Sequence, residues 1–326
     1  MGLKGLACLL VLLVLASAPW WAAQQPFLLH MLVTACVLVV PAVGLNLMLG
    51  HGGLVSLGHM GFAGIGAYVA AVLMVDARWS FAPSVLAAML AAGAAGGLIS
   101  LLCFRFRGHF FMIVTLAFGL MLHAVMNNWD SVTRGAAGFA GIPRPSPLRW
   151  GDQVWSFGPL PNFYALALGM AVLAFALQYL VVHSNFGRSL AAIRQDERLA
   201  RSRGVNTLLY KTTVFAMGTA LAGMGGVLQV SFLRVAAPAS FTMLESINMV
   251  LIVIIGGAGS LVGPALGALL YVGLPEMLRL SNEWRLVIFG VMLVLITLFA
   301  PKGLAGLCAR AWQWLIPRKT TAVAKP

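Results

Sequence analysis

Charge is what this sequence has least of. Only 9% of its 326 residues are Asp, Glu, Lys or Arg, against about a quarter in a soluble domain. None of the four occurs between residues 5 and 75. Water is therefore not the main solvent of the fold. Carboxylates are scarcer than cations, with eight Asp and Glu against 21 Lys and Arg, and the six histidines are dispersed. An enzyme would cluster such groups at one interface. We expect no catalytic residue, no metal and no cofactor bound by this chain.

Other absences narrow the reading further. No GxxxxGK[ST] loop occurs, so ATP dependence would have to come from a partner. Gly257-x-Gly259 followed by Gly263 has the wrong spacing for a dinucleotide loop and sits in no βαβ unit. Cys8, Cys36, Cys103 and Cys308 form neither a CxxC pair nor a zinc pattern, and read as small packing residues.

What is present is apolar length. Hydrophobic residues make up 61% of the chain, and uncharged runs recur at 79–104, 108–129, 153–187, 212–233, 246–275 and 286–301. A bilayer crossing needs about 20 such residues. With Lys4 placed inside, candidate crossings fall at 5–23, 27–49, 60–75, 84–104, 109–128, 162–183, 212–233, 243–256, 264–278 and 285–300. The fold class expected is all-α integral membrane: a polytopic bundle of about ten segments. The first 23 residues also resemble a signal peptide, with Lys4, an apolar run and Ala-Ser-Ala. A retained span is favoured because the run continues into Trp20 and Trp21, an interfacial anchor.

The net charge of +13 is read as topology and not as a nucleic-acid surface, because its cations lie between apolar spans. Arg105, Arg107, the cluster from Arg188 to Lys211, and Arg310, Arg318 and Lys319 all fall on the inner side of this scheme. The other side receives 129–161, where three tryptophans and five prolines read as an ordered external loop. The division expected is a membrane domain over 1–317, holding the external loop and an inner loop at 184–211, followed by an inner tail at 318–326.

Two glycine-rich stretches interrupt the apolar pattern: Gly50-His-Gly-Gly-Leu-Val-Ser-Leu-Gly-His-Met-Gly61 and Gly256-Gly-Ala-Gly-Ser-Leu-Val-Gly-Pro264. Both contain Ser-Leu after a Gly-Gly pair and lead into Gly-Ala, at Gly66-Ala67 and Gly267-Ala268. The likeness suggests an internal repeat of the kind transporters use. Broken helices at membrane depth are tolerated only where buried in protein or lining a cavity, so both breaks are candidate pathway elements. The pathway residues expected are Asn46, Ser56, His59, Tyr68, Glu245 and Ser260. His51 and His59 lie eight apart without a carboxylate partner, which favours hydrogen bonding at the break over metal binding. For Glu245, a cavity-facing role or a pair with Arg234 stands beside a solvated helix-end glutamate.

The inner loop at 184–206 is different in kind. Leu190, Ile193, Glu197, Ala200 and Gly204 recur at three- and four-residue steps, predicting one short amphipathic helix ending near Gly204. Arg194, Arg198, Arg201 and Arg203 form its charged face. Composition alone favours a basic helix lying on anionic lipid; the alternative is a helix docking into another protein.

Four stretches together resemble the LivM-type permeases of branched-chain amino acid ABC importers. They are Gly44-Leu-Asn-Leu-Met-Leu-Gly50 running on through Ser56-Leu-Gly-His59 to Tyr68, the stretch from Arg107 to Phe118, Asn185-Phe-Gly-Arg-Ser-Leu-Ala-Ala-Ile-Arg194 through Gly204, and the 256–264 motif. They stand in the family's order over about residues 40–275. The resemblance implies that 184–206 is the segment coupling to a cytoplasmic ATPase, through Gly187, Arg188, Arg194, Glu197, Ala200 and Gly204. It further implies a LivH-type second permease subunit, two ATPases carrying ATP and Mg, a periplasmic solute-binding protein, and a bacterial inner-membrane location. Related permeases move other amino acids, urea or amides as well. A secondary transporter would need intramembrane carboxylates, and only Glu245 and Glu276 are on offer.

Overall fold

The computed structural model describes Ser17 and residues 25–103, 109–150, 153–278, 282–300 and 302–315. The expected crossing at 5–23, apart from Ser17, and the tail at 318–326 lie outside them. The described chain is a helix bundle. Helix α1, Pro26–Asn46, starts on a proline at its first turn, where no donor is lost, and runs into a π turn at Leu47–His51. Residues 52–58 are irregular. Helix α2, His59–Ala71, likewise ends in a π turn, Val72–Asp76. Helices α3 (Phe81–Cys103) and α4 (His109–Asn128) follow, then the long connection and α5, Leu160–His183. Two short helices, α6 (Asn185–Gln195) and α7 (Glu197–Ser202), lead into the 27-residue α8, Thr207–Leu233. Helices α9 (Met243–Gly256), α10 (Gly263–Leu278), α11 (Asn282–Phe299) and α12 (Gly303–Leu315) complete the described residues.

Six of the described helices are long and apolar enough to cross a bilayer: those at 26–51, 59–76, 81–103, 110–128, 160–183 and 207–233. They coincide with six of the expected crossings. The expected segments at 243–256, 264–278 and 285–300 are also helical, within helices of 14, 16 and 18 residues.

Helix α8 is the axis around which α1, α2 and α3 pack. Lipid tails offer helices no hydrophobic drive to associate, so close backbone contact has to supply the attraction. A Cβ on Gly66 of α2 would stand 2.7 Å from the carbonyl carbon of Gly223 on α8, and one on Gly226 would stand 2.8 Å from that of Ala63. Phe215 of α8 then meets Phe62 of α2 and Phe111 of α4 edge-on, at ring centroid distances of 5.7 and 5.8 Å. Such pairs contribute about 0.5–1.5 kcal/mol beyond their buried area.

At the end of the bundle opposite α6, the long connection is pinned to its neighbours. Phe139–Ala140 pairs antiparallel with Val235–Ala236. Arg134 reaches Asp76 at 2.8 Å and lies 4.2 Å over the Phe139 ring. A second short ladder joins Leu148–Trp150 to Gln153–Trp155. The expected order in 129–161 is thus produced by strand pairing as well as by the Asp130–Thr133 turn.

The single amphipathic helix expected over 184–204 is two helices. Asp196 leaves the helical region at φ −152° and ψ 105° and caps α7, its Oδ1 accepting from the amides of Arg198 at 2.8 Å and Leu199 at 3.0 Å. An N-capping aspartate is a start signal, and it overrides a side-chain period that runs through it unbroken.

Candidate functional site: the basic loop and the two helix breaks

The basic loop is built from its caps. Ser184 ends α5 and starts α6: its hydroxyl donates to the Val181 carbonyl at 2.7 Å and accepts from the Gly187 amide at 3.3 Å. Gly187 packs so closely on α5 that a Cβ would stand 2.6 Å from the Val181 oxygen. Any side chain there would open the angle between the two helices. Leu190 and Ile193 are buried and hold α6 against the bundle.

Glu197 is the hub of the second half. It accepts from Lys211 at 2.6 Å and from Arg201 at 3.2 Å, and Arg201 also donates to Thr207 at 3.0 Å. Partial burial raises the Glu197 pKa, but the Lys211 hydrogen bond and charge, with Thr207 and Arg201, outweigh it and hold the carboxyl below its ordinary range. Ala200 is buried in the chain's own packing, so its small size serves α7. Gly204 adopts φ +81°, with open space where a Cβ would be. The left-handed conformation that ends the loop is what requires glycine here.

Arg194 joins this loop to the rest. Its guanidinium donates to the carbonyl of Gly50, the residue where the α1 π turn gives way to the first break. An unsatisfied carbonyl at a helix C-terminus is a natural place for a cation. The same guanidinium nitrogen lies 3.5 Å from the Cβ position of Gly259 in the second break. The two breaks, about 210 residues apart in sequence, therefore meet beneath one arginine of α6.

Asn46 locks them together. Its Nδ2 donates to the Ser260 carbonyl at 2.8 Å, while its Oδ1 accepts from the Gly259 amide at 2.8 Å. One fully buried amide thus satisfies two backbone groups that no helix serves. Ser260 ties its own break, donating to Gly257 at 2.8 Å and accepting from the Gly263 amide at 2.9 Å.

Of the remaining expected pathway residues, Ser56, His59 and Tyr68 are buried in the chain and Glu245 is half-buried. His59 is fully buried, with Nε2 2.9 Å from the Pro41 carbonyl. Since a carbonyl only accepts, that nitrogen carries the proton. Ser56 Oγ, His59 Nδ1 and the Tyr68 hydroxyl are buried with no hydrogen-bond partner among the described residues. Tyr68 packs edge-on to Phe139 and Phe241 at 6.2 and 6.4 Å. Of these residues only Asn46 bonds across to the second break; Ser56 and His59 are buried beside the first, and Tyr68 lies toward the Phe139 end of α2. Glu245 makes no ion pair with Arg234 among the described residues. It accepts from Asn248 at 3.4 Å, while Arg234 reaches the Ile142 carbonyl at 3.5 Å. Thr242 caps α9 on the Glu245 amide at 3.4 Å, as in a helix-start Thr-x-x-Glu pattern.

Two contributors were not singled out from sequence. Lys211 pairs with Glu197, and the fully buried Gln178 of α5 places Nε2 3.4 Å from His51 Nε2. An isolated amide in an apolar run is itself a sign of an inward-facing position.

Comparison with known proteins gives the arrangement a context. Residues 27–297 match the family described as branched-chain amino acid transport system / permease component. The high-affinity branched-chain amino acid transport system permease protein LivM of Escherichia coli (strain K12) is 32% identical over 314 residues, covering 91% of this chain and 74% of that protein. The corresponding LivH permease of Salmonella typhimurium is 26% identical over 284 residues, covering 81% and 90%. The ribose import permease RbsC of Escherichia coli (strain K12) is 28% identical over 317 residues, covering 90% and 92%. No solved structure gives a significant match.

Proposed function

The chain belongs to the branched-chain amino acid transport system / permease component family, and on that premise we propose that it is the membrane-spanning subunit of an ABC importer for branched-chain or closely related amino acids. It sits in the bacterial inner membrane beside a LivH-type subunit. Two cytoplasmic ATPases supply ATP and Mg, and a periplasmic binding protein delivers solute. The basic loop at 184–211 is the cytoplasmic face and 129–161 the periplasmic one. No residue of this chain performs covalent chemistry; its task is to be stable in two conformations whose balance the ATPases shift.

The observation that carries this reading is the hydrogen bond from Arg194 to Gly50. It gives a loop that docks on an ATPase a rigid link to the place where two broken helices meet. A hydrogen bond from a charged donor is worth about 1.5–3 kcal/mol. When α6 moves, the Gly50 carbonyl either follows or loses that partner. Either outcome changes the packing of Gly50 on Gly259 and opens a route along the breaks. Gly187, Arg188 and Gly204 shape the docking surface around it, while Glu197 with Lys211 keeps α7 fixed to α8.

The test is Arg194→Gln in the complete transporter, reconstituted in vesicles with its ATPases and binding protein. ATP hydrolysis should persist and solute accumulation should fall at least tenfold. Uptake equal to the parent's would overturn the transmission role. Solute class is read separately: labelled leucine, isoleucine or valine should accumulate, and accumulation of ribose instead would move the assignment toward the sugar permeases.

A further inference from the structure

A cavity of about 440 Å³ lies where α1, α5 and α6 converge. This is within the ~300–1,000 Å³ typical of ligand sites. Its walls are of two kinds. Val181 and Val182 of α5 offer half-buried apolar surface to the cavity and Ala191 of α6 adds to it, with the buried Leu47 and Leu190 behind them. Arg188, Arg194, His51 and Gln195 form the polar part of the lining, and no carboxylate joins them.

The chain leaves the two arginines short of acceptors. A guanidinium carries five N–H donors. Arg188 places one on Asn185 and Arg194 one on Gly50, and neither forms an ion pair among the described residues. The neighbouring acids are committed elsewhere: Asp196 caps α7 and Glu197 holds Lys211 and Arg201. Gln178 holds the Nε2 edge of His51, so the other ring nitrogen is the one free to meet a ligand.

We propose that this cavity binds a phosphate ester anion, and that its form suits the headgroup of an acidic phospholipid. The phosphate lies between Arg188 and Arg194, where planar guanidinium forks match its oxygens. The glycerol and first methylenes cover Val181, Val182 and Ala191. Basic pockets between membrane helices at an inner membrane surface take such headgroups. The bound lipid bridges the end of α1 to α6 and holds α6 down on the Gly50–Gly259 contact. That last consequence rests on the coupling role given to α6; the binding itself does not.

The experiment uses the full chain in lipid nanodiscs, without ATPases, so its failure would leave the transport reading intact. Discs of phosphatidylcholine alone are compared with an equal mixture of phosphatidylcholine and phosphatidylglycerol. Hydrogen exchange is followed over residues 47–54 and 185–195, and retained lipid is weighed by native mass spectrometry. Phosphatidylglycerol should slow exchange in both segments and be retained. Arg188→Gln should weaken retention at least tenfold, whereas Arg201→Gln, which removes the same charge outside the cavity, should not. Inorganic phosphate titrated into phosphatidylcholine discs separates the sources: protection at submillimolar phosphate, lost in Arg188→Gln, would support the anion site and reassign it to a free ion. Absence of protection by either probe, or equal losses in the Arg188 and Arg201 variants, overturns the proposal.

Discussion

Replacing Gly50 with alanine adds one methyl group at the point where the two breaks touch. A Cβ there would stand 2.7 Å from the Gly259 Cα, and closer still to the Gly259 amide nitrogen and Asn46 Oδ1. Carbon atoms pack at about 3.5–4.0 Å, so the two backbones must part by roughly 1 Å. The Gly259 atoms are backbone, and the Asn46 amide is held in place by its two hydrogen bonds, so neither swings away freely. Overpacking of this kind costs about 1–3 kcal/mol. The displacement also stretches both Asn46 hydrogen bonds, each worth about 0.6 kcal/mol in a membrane protein. The total is about 2–4 kcal/mol, with sterics the larger share. In detergent micelles the Tm of the purified chain should fall by roughly 3–6 °C, and exchange of the Gly259 amide should accelerate. Gly97→Ala is the control, because its Cβ meets only the Ala216 side chain at an ordinary 3.6 Å. Indistinguishable melting and Gly259 exchange in the two variants would refute the close contact of the breaks.

Three further outcomes are expected. Glu197 has a depressed folded pKa, so its contribution is complete above the unfolded glutamate pKa and disappears as pH falls through the lower folded value. Exchange over residues 197–211 should therefore rise only in that acidic window, and Glu197→Gln should flatten the profile; a parent profile already flat would remove the ion pair from the account. Asp196→Ala should cost about 0.5–2 kcal/mol as a lost N-cap, whereas Asp196→Asn should be nearly neutral, and equal losses in chemical unfolding would argue for a charge effect instead. At Gly204 a valine must enter the left-handed region at about 1–2 kcal/mol, while asparagine tolerates it; uptake should survive Gly204→Asn and fail with Gly204→Val, and the reverse order would discard backbone strain as the cause.

The sequence made the long helices legible because uncharged runs of bilayer length admit few other structures. It also disclosed the basic loop, whose buried Leu190 and Ile193 stand at the positions their spacing implied. The division at Asp196 stayed hidden, since a capping side chain interrupts the backbone without disturbing the apolar period. Asn46, Ser56, His59 and Tyr68 were recognisable as polar residues beside the breaks. What each one meets depended on what lay opposite. For Asn46 that is the backbone of residues 259 and 260, a contact that local pattern cannot announce. Likewise, nothing near Arg194 in the sequence points to Gly50.

The seam between α2 and α8 carries a consequence for how such a chain can vary. Where Gly66 meets Gly223, both partners are already the smallest residue available. An enlarged side chain in an ordinary core can be compensated by shrinking its neighbour, but here no smaller neighbour exists. Second-site suppressors of a Gly66 or Gly223 lesion should therefore not arise across the seam, and only reversion at the lesion itself restores the packing.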